Sequence, residues 1–308
     1  IEHSVKNLST FGIDIAVIIN PKDEKVFREN LKEYDIKYYY QREPLGTANA
    51  LYSAKDFIKD DYFLVMMGDD LSNFNFEEML YTDHPVIYGY EVDDLSRFGA
   101  IMIDSKGRAY DVIEKKQSGR GLANTGVYIM PKYFFEEYSK IDVNKESGEF
   151  YLPDIVRRMY NLGSPFEVRM MYYWSPINDA NDLNRTVVEL SKFDYLSLKI
   201  KKARFEDLPS LLDILYQLSP LEQLEAIKRN NIYESFSNII KNDDYYLMVA
   251  EIDGKLVGTA TLLIQQNLTH HGRPYGHIEN VVTDYKFQGL GIGCILVKYL
   301  IGIARLRN

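Results

Sequence analysis

The chain has 308 residues, 46% of them hydrophobic, 26% charged and 13% aromatic, which excludes a disordered or fibrous protein and leaves room for about two domains. Its 36 basic residues are outnumbered by 45 acidic ones, and the net charge of -9 argues against a nucleic-acid partner. The single cysteine, Cys294, excludes a disulfide framework, and no apolar run is long enough for a membrane span, so we expect a cytoplasmic protein without a membrane partner.

The first part of the chain, up to about residue 192, alternates short apolar runs with helical patterns. This alternation is typical of an α/β domain with a Rossmann-like, mostly parallel sheet. The predicted elements are strand 13–20, helix 21–33, strand 36–41, helix 47–58, strand 61–68, strands 85–92, 100–104, 110–114 and 126–130, helices 132–139 and 153–162, strand 168–173 and helix 180–192. Asp69 and Asp70 follow strand 61–68, so we expect two carboxylates at the carboxyl end of a parallel strand, where open α/β sheets bind ligands.

Three motifs of this first part occur in a fixed order. YQREPLGTANA at 40–50 lies between a strand and a helix, GDD at 68–70 ends the next strand, and NTGVYIM follows at 124–130. Together they resemble the sugar-1-phosphate nucleotidyltransferases over essentially all of residues 1–192. The resemblance implies a GT-A-like fold that transfers a nucleotidyl group from UTP to a sugar 1-phosphate, with Mg²⁺ as cofactor. Another hexose phosphate as the sugar substrate, or dTTP as the nucleotide substrate, is the alternative.

The resemblance also assigns site residues in this part. They are Gln41, Gly46 and Thr47 for the nucleobase, Asp69 and Asn178 for the metal, and Gly99, Glu114, Lys115 and Asn124 for the sugar phosphate. A metal ion is needed because attack on an α-phosphate brings several negative charges together. Asp179 is the alternative second ligand, since it follows Asn178 directly in PINDANDL at 176–183. The alternatives assign no binding role to these residues. Glu114 and Lys115 would then belong to a charged hairpin strand, and Asn124 would be a turn residue.

A different pattern begins near Ser197, so we divide the chain into domains 1–196 and 197–308. The second domain is predicted to be α/β with a mixed sheet, and Asp253-Gly254 is a hairpin signal between two of its strands. Its predicted elements are strand 198–204, helices 207–218 and 221–241, strands 245–251, 256–266 and 276–283, and a last helix with a stripe formed by Ile292, Ile295, Leu296, Tyr299, Leu300 and Ile303.

The segment QGLGIG at 288–293 lies between a predicted strand and this last helix. Glycines there allow backbone amides to close on an anion at a helix N-terminus, although a plain glycine-rich turn is the alternative. Glu279, in the strand ahead of it, is either a proton acceptor or a strand carboxylate that pairs with a nearby cation.

These two features, together with DYYLMVAEIDGKLVGTATLLI at 244–264 and GHIENVV at 276–282, resemble the GNAT acetyltransferases, and most closely glucosamine-6-phosphate N-acetyltransferase. The resemblance covers most of residues 200–300 and implies acetyl-CoA as cosubstrate and a homodimer through this domain. It makes Glu279 the catalytic carboxylate that helps to deprotonate the substrate ammonium. It gives acetyl-CoA contacts to Val281, Val282, Gln288, Gly289, Leu290, Gly291, Ile292 and Gly293.

Both family patterns extend beyond this chain. The chain begins after the G-x-G-T-R loop that opens the nucleotidyltransferases, and it ends before the last strands of the acetyltransferases. We therefore expect both transferase activities of the 308-residue chain to be impaired. The preferred interpretation is a bifunctional transferase of UDP-N-acetylglucosamine synthesis that acts on small sugar phosphates. A non-catalytic binder of sugar nucleotides or acetyl-CoA, or a transferase for another amino sugar, is the alternative.

Overall fold

The computed structural model describes residues 1–114, 118–141, 143, 148–218 and 231–307. Lys115 and the first part of the predicted helix 221–241 lie outside these residues. The described chain is α/β throughout, which confirms the predicted fold class. None of its helices is long and apolar enough to cross a membrane.

The first part of the chain contains ten strands and seven α-helices among its described residues. The strands are β1 Ile15–Ile19, β2 Ile36–Tyr40, β3 Tyr62–Val65, β4 Asp70–Asn73, β5 Val86–Val92, β6 Ala100–Ile103, β7 Arg108–Ile113, β8 Gly121–Pro131, β9 Phe166–Met170 and β10 Tyr173–Pro176. The helices are α1 Glu2–Ser9, α2 Glu24–Asn30, α3 Thr47–Ser53, α4 Phe76–Met79, α5 Phe134–Glu137, α6 Asp154–Asn161 and α7 Ala180–Lys192.

The sheet of this part is mixed rather than mostly parallel, which corrects that detail of the prediction. Six strands pair in the order β3-β8-β5-β9-β7-β6, while β1 pairs with β2 and β4 with β10. Only β1–β2 and β5–β9 are parallel among the described pairs. The long strand β8 runs antiparallel to both β3 and β5, so Asp69 and Asp70 do not follow a parallel strand. Apolar runs predict strands but not their direction, because direction depends on which neighbour a strand meets.

The second part is a four-stranded sheet with helices. Its strands are β11 Lys199–Lys202, β12 Tyr245–Ile252, β13 Lys255–Gln265 and β14 Tyr275–Thr283, and its described helices are α8 Leu208–Leu215, α9 Ile232–Lys241 and α10 Ile292–Arg307. The described strands pair antiparallel in chain order rather than in a mixed sheet. The β12–β13 turn has positive φ at both Asp253 (49°) and Gly254 (76°), as the hairpin signal predicts.

Helix α10 connects the cores of the two parts. Its residues Ile292, Ile295, Leu296 and Leu300 are buried against the four-stranded sheet. Tyr299 and Ile303 pack against both this core and the core of the six-stranded sheet. The predicted apolar stripe is therefore confirmed, and it serves two sheets instead of one.

Candidate functional site

The first group of predicted residues lies at the junction of β2 and α3. The side chain of Gln41 donates to the Gly46 carbonyl at 2.9 Å and to Asn49 Oδ1 at 3.0 Å. Gly46 has a φ of 93°, and a Cβ there would lie 2.4 Å from the carbonyl oxygen of Phe150. The loop is thus fixed against the backbone of a segment about a hundred residues away.

Thr47 takes part in the same contact between segments. Its hydroxyl accepts a hydrogen bond from the Leu152 amide at 2.9 Å, while the next amide, that of Ala48, donates to the Phe150 carbonyl at 3.0 Å. The structure therefore brings together all three predicted nucleobase residues. Their hydroxyl and carbonyl contacts fix the backbone of the loop at the start of α3.

The predicted metal ligands come from β4 and β10, which pair antiparallel with Asp70 opposite Pro176. This register places Asp69, just before β4, at the same end of the ribbon as Asn178, just after β10. Both side chains are exposed. Asp179 instead caps α7, because its Oδ1 accepts from the amides of Asn181 (2.8 Å) and Asp182 (2.9 Å). Among the described residues, no group of three or more His, Cys, Asp or Glu side chains converges as a metal site.

Asp70 has a different environment from its neighbour Asp69. Burial raises the pKa of Asp70 to about 6, although its Oδ2 accepts a hydrogen bond from the Trp174 indole N–H at 2.8 Å, which opposes the shift. Trp174 therefore fixes this carboxylate. No pattern in the sequence indicated the pair, because its members are separated by 104 residues.

The three described members of the predicted sugar-phosphate set, Gly99, Glu114 and Asn124, lie at the start of β6 and the NTG segment of β8. A Cβ on Gly99 would lie 2.8 Å from Glu114 Oε1, and the Asn124 amide donates to the Gly99 carbonyl at 2.7 Å. The Asn124 side chain accepts from the Gly126 amide at 3.1 Å, where φ is 72° and β8 shifts its register against β5. A side chain at position 99 would have to displace the Glu114 carboxylate.

The predicted acetyl-CoA site begins at a β-bulge in β14. Between the pairs Thr261–Glu279 and Thr259–Val282, β14 has two residues where β13 has one. Asn280 is one of the two and has a φ of 52°, a left-handed conformation that asparagine tolerates well. The bulge interrupts the hydrogen-bond ladder between β13 and β14 beside Glu279. Main-chain N–H and C=O groups of β14 therefore turn away from β13 at this position.

Glu279 is half-buried next to two other side chains. The Tyr245 hydroxyl donates to its Oε1 at 3.3 Å, and His277 Nε2 lies 3.5 Å from its Oε2. Among the described residues, no lysine or arginine forms an ion pair with Glu279. Val281 is exposed beside it, whereas Val282 is buried in the sheet.

The QGLGIG turn links β14 to α10, as predicted. Gly289 and Gly291 have φ values of 79° and 80°, and the Gln288 side chain donates to the Thr283 carbonyl at 3.2 Å. The first hydrogen bond at this end of α10 runs from the Ile295 amide to the Gly291 carbonyl at 3.0 Å. The amides of residues 292–294 therefore come before the first hydrogen bond of the helix. They lie at the positive end of a 16-residue helix, and this arrangement is suited to binding a phosphate.

A tyrosine of the connecting segment, which the sequence did not single out, stabilises this turn. The Tyr195 hydroxyl donates to the Leu290 carbonyl at 2.7 Å, and the Tyr195 ring stacks on Tyr173 at 5.0 Å. Beside the turn, a cavity of about 390 Å³ opens between the two parts of the chain. Its walls include Cys294 and Val281 from the second part and Arg120 from the first.

Comparison with known proteins identifies the families that the two parts of the chain match. The nucleotidyl transferase family model matches residues 1–191, and the acetyltransferase (GNAT) family model matches residues 210–308. The bifunctional protein GlmU of Methanococcus maripaludis is 29% identical over 189 residues, which cover 59% of this chain and 44% of that protein. The low-salt glycan biosynthesis nucleotidyltransferase Agl11 of Haloferax volcanii is 25% identical over 205 residues, or 61% of this chain and 57% of the relative.

Among solved structures, a Bacillus anthracis protein provisionally described as a glucose-1-phosphate thymidylyltransferase, in complex with a sucrose, has a TM-score of 0.50 at 22% identity. The similarity covers 59% of this chain and 77% of that protein, and it shows a shared fold. Fold and family models together define a transferase of two dissimilar domains. The chain belongs to the nucleotidyl transferase family and carries a GNAT-family acetyltransferase domain behind it.

Proposed function

We propose that this chain is the bifunctional part of an amino-sugar transferase. Residues 197–308 transfer the acetyl group of acetyl-CoA to the amine of glucosamine 6-phosphate, and residues 1–196 transfer a uridylyl group from UTP to a sugar 1-phosphate. The observation that carries the proposal is the position of Glu279. This residue lies at the bulge of β14, near the end of the strand that precedes the glycine-rich turn before α10. The matching GNAT family model supports it.

In the acetyl transfer, Glu279 takes a proton from the substrate ammonium, directly or through a water molecule. The amine then has a lone pair and attacks the thioester carbonyl, so a C–N bond forms while the C–S bond breaks. CoA leaves as a thiolate, which takes up the proton that the new amide nitrogen loses. Main-chain groups of Val281 and Val282 orient the acetyl and pantetheine groups. Residues 288–293 bind the pyrophosphate with backbone amides at the start of α10.

In the nucleotidyl transfer, a phosphate oxygen of the sugar attacks the α-phosphorus of UTP, and pyrophosphate leaves. Glu114 and Asn124 bind sugar hydroxyls beside Gly99, and Lys115 is assigned to the phosphate by the resemblance alone. Asp69 and Asn178 form a hard oxygen set that fits Mg²⁺, which is bound in proteins through one or two side chains and substrate phosphates. Asp69 and Asn178 would hold Mg²⁺, which would supply positive charge against the phosphates. The capping hydrogen bonds of Asp179 support Asn178 as the second ligand.

The acetyl-transfer half is tested by the release of CoA thiol from acetyl-CoA with glucosamine 6-phosphate and a panel of other amino sugars. Glu279→Gln keeps the shape of the side chain but cannot accept the proton, so we expect turnover about 10²–10⁴-fold lower. Acetyl-CoA affinity stays unchanged in this variant, because Glu279 contacts the acceptor amine and not the pyrophosphate. Acetyl-CoA binding without turnover in the unmodified chain would favour the non-catalytic binder.

The nucleotidyl-transfer half is tested by pyrophosphate release from UTP with several sugar 1-phosphates at increasing Mg²⁺. Asn178→Ala is expected to raise the Mg²⁺ concentration needed for half-maximal turnover, whereas Asp179→Asn preserves the helix cap and leaves it unchanged. The reverse result would assign the metal to Asp179. Equal turnover with dTTP or GTP would show that the nucleotide is not UTP in particular.

A further inference from the structure

A tyrosine between the two parts of the chain contacts the glycine-rich turn before α10. The Tyr195 hydroxyl lies 2.7 Å from the Leu290 carbonyl oxygen, and the tyrosine is the donor because a carbonyl can only accept. Among the described residues, no backbone N–H donates to this carbonyl, since the first backbone hydrogen bond at this end of α10 goes to the Gly291 carbonyl. The orientation of the Leu290 carbonyl therefore depends on Tyr195.

The planarity of the peptide bond extends this orientation to the next amide. The peptide bonds of the described chain are trans, so the N–H of Gly291 points opposite to the C=O of Leu290. With the carbonyl held towards Tyr195, the N–H of the exposed Gly291 faces away from that side chain. Within the part of the chain that the structure describes, this N–H donates to no backbone carbonyl. It can therefore donate to a phosphate oxygen of a ligand.

The glycines of the turn do not fix this orientation by themselves. Glycine adopts positive φ about as readily as negative φ, so the values of 79° at Gly289 and 80° at Gly291 are two of several accessible conformations. A Cβ at Gly289 would have no atom within 4 Å, and at Gly291 it would lie 3.7 Å from the Tyr195 hydroxyl. Because neighbouring atoms do not crowd the turn, a hydrogen bond is needed to hold its peptide planes.

Tyr195 is itself fixed by two residues of the β4–β10 ribbon that lie opposite each other, Asn73 and Tyr173. Asn73 is only 6% exposed, and its side chain donates to the carbonyls of Tyr195 at 3.0 Å and Leu198 at 2.6 Å. The Tyr173 ring stacks on the Tyr195 ring, with centroids 5.0 Å apart and an interplanar angle of 8°. The first part of the chain thus holds both the backbone and the ring of Tyr195.

We propose that Tyr195 is a positioning residue for acetyl-CoA, which orients the Leu290–Gly291 peptide so that the Gly291 amide binds the pyrophosphate. This inference rests on the proposed acetyl-CoA site. It goes beyond that site because the β4–β10 ribbon, which carries the predicted metal ligands of the first domain, also holds the residue that shapes the pyrophosphate turn of the second. Full affinity for acetyl-CoA then requires both domains.

The experiment measures the dissociation constants of CoA and of pantetheine for the full chain by calorimetry, with pantetheine titrated in competition with CoA. Pantetheine has the thiol arm of CoA but no pyrophosphate, so it does not reach the Gly291 amide. Tyr195→Phe removes only the hydroxyl and keeps the ring stack. We expect this variant to bind CoA about three- to tenfold more weakly, the equivalent of one net hydrogen bond, and to bind pantetheine unchanged.

The matched control is Tyr173→Phe, because the Tyr173 hydroxyl belongs to the same ring stack but donates to Glu189 at 3.1 Å and not to the turn. It should leave both constants unchanged, and far-UV circular dichroism checks that every variant is folded. Should Tyr195→Phe bind CoA as tightly as the unmodified chain, or weaken both ligands equally, the positioning role is overturned and the acetyl-CoA site stands. Should the unmodified chain bind no CoA, the proposed acetyl-CoA site itself fails, and this inference fails with it.

Discussion

Glycine 46 shows how one backbone conformation determines the local geometry of a candidate site. Its φ of 93° disfavours any side chain, and a Cβ would lie 2.4 Å from the Phe150 carbonyl oxygen. We expect Gly46→Ala to lower the free energy of unfolding by about 3 kcal/mol, from the left-handed conformation and the displaced backbone together. Gly163→Ala is the matched control, because Gly163 has a φ of 80° with no atom near a Cβ.

Urea denaturation of both alanine variants measures this difference. The control should lose only about 1 kcal/mol, from backbone strain alone. Equal losses in the two variants would show that the contact with the Phe150 carbonyl is not what requires glycine at position 46.

Histidine 84 provides a pH-dependent contribution to stability. Partial burial lowers the pKa of His84, but hydrogen bonds to Asp83 at 3.0 Å and Glu167 at 2.5 Å outweigh burial and hold the pKa above its usual value. A raised pKa means that the folded state binds the proton more tightly than the unfolded state. The contribution is therefore complete below about pH 6.5 and is lost as the pH rises through the raised value.

Comparison of the unmodified chain with His84→Gln tests this sign. We expect the histidine to add about 0.5 kcal/mol to the free energy of unfolding near pH 5.5 and almost nothing near pH 8.5, because the pair is partly exposed and screened. Denaturant titrations at the two pH values measure the difference. A larger stabilisation at the alkaline pH would contradict the assignment.

At the scale of elements, the bulge of β14 depends on the left-handed residue at its centre. Asn280, with a φ of 52°, sits where β14 has one more residue than β13. Asn280→Ala is expected to cost about 1 kcal/mol of unfolding free energy, whereas Asn280→Gly should be nearly neutral, because glycine adopts this conformation without strain. Thermal unfolding of the two variants measures the difference, and the reverse order would mean that the asparagine side chain, not φ, stabilises the bulge.

Elements with strong local signals could be predicted from the sequence, and those that depend on partners could not. The hairpin at Asp253-Gly254 and helix α10 follow from a turn dipeptide and a 3.6-residue apolar period. The short strands β4 and β10 have no such period and form because they pair with each other. Helix α3 ends at Ser53 rather than at the predicted residue 58, and residues 54–57 continue as turns.

At the scale of the whole molecule, one buried ion pair ties α10 to the first domain. The Arg305 guanidinium donates to both oxygens of Glu91, at 2.8 Å and 3.0 Å, and Glu91 is only 2% exposed. Arg305→Met leaves this carboxylate buried without its partner, so we expect a loss of about 3 kcal/mol. The double variant Glu91→Gln with Arg305→Met also removes the negative charge of the carboxylate. It should therefore recover much of the lost free energy of unfolding.

Denaturant unfolding followed by Trp174 fluorescence and by circular dichroism distinguishes the outcomes, because the single tryptophan reports on the first domain only. The two signals should coincide in the unmodified chain and separate in Arg305→Met. Arg28→Met is the control, since its pair with Glu24 is exposed and lies within one helix. If Arg305→Met and Arg28→Met both lose equally little free energy of unfolding, α10 does not couple the domains.

The sequence by itself determined the α/β class, most elements and the order of the motifs, because these depend on local patterns of apolar, glycine and turn residues. The division into domains 1–196 and 197–308 and the roles of the site residues remain predictions. Only the tertiary structure decided the strand directions, the contact of Gly99 with Glu114, and the pairing of Glu91 with Arg305. Gly99 and Glu114 meet because β6 and β7 pair with each other. Glu91 and Arg305 are 214 residues apart, and their pairing depends on how apolar faces pack, which no single segment encodes.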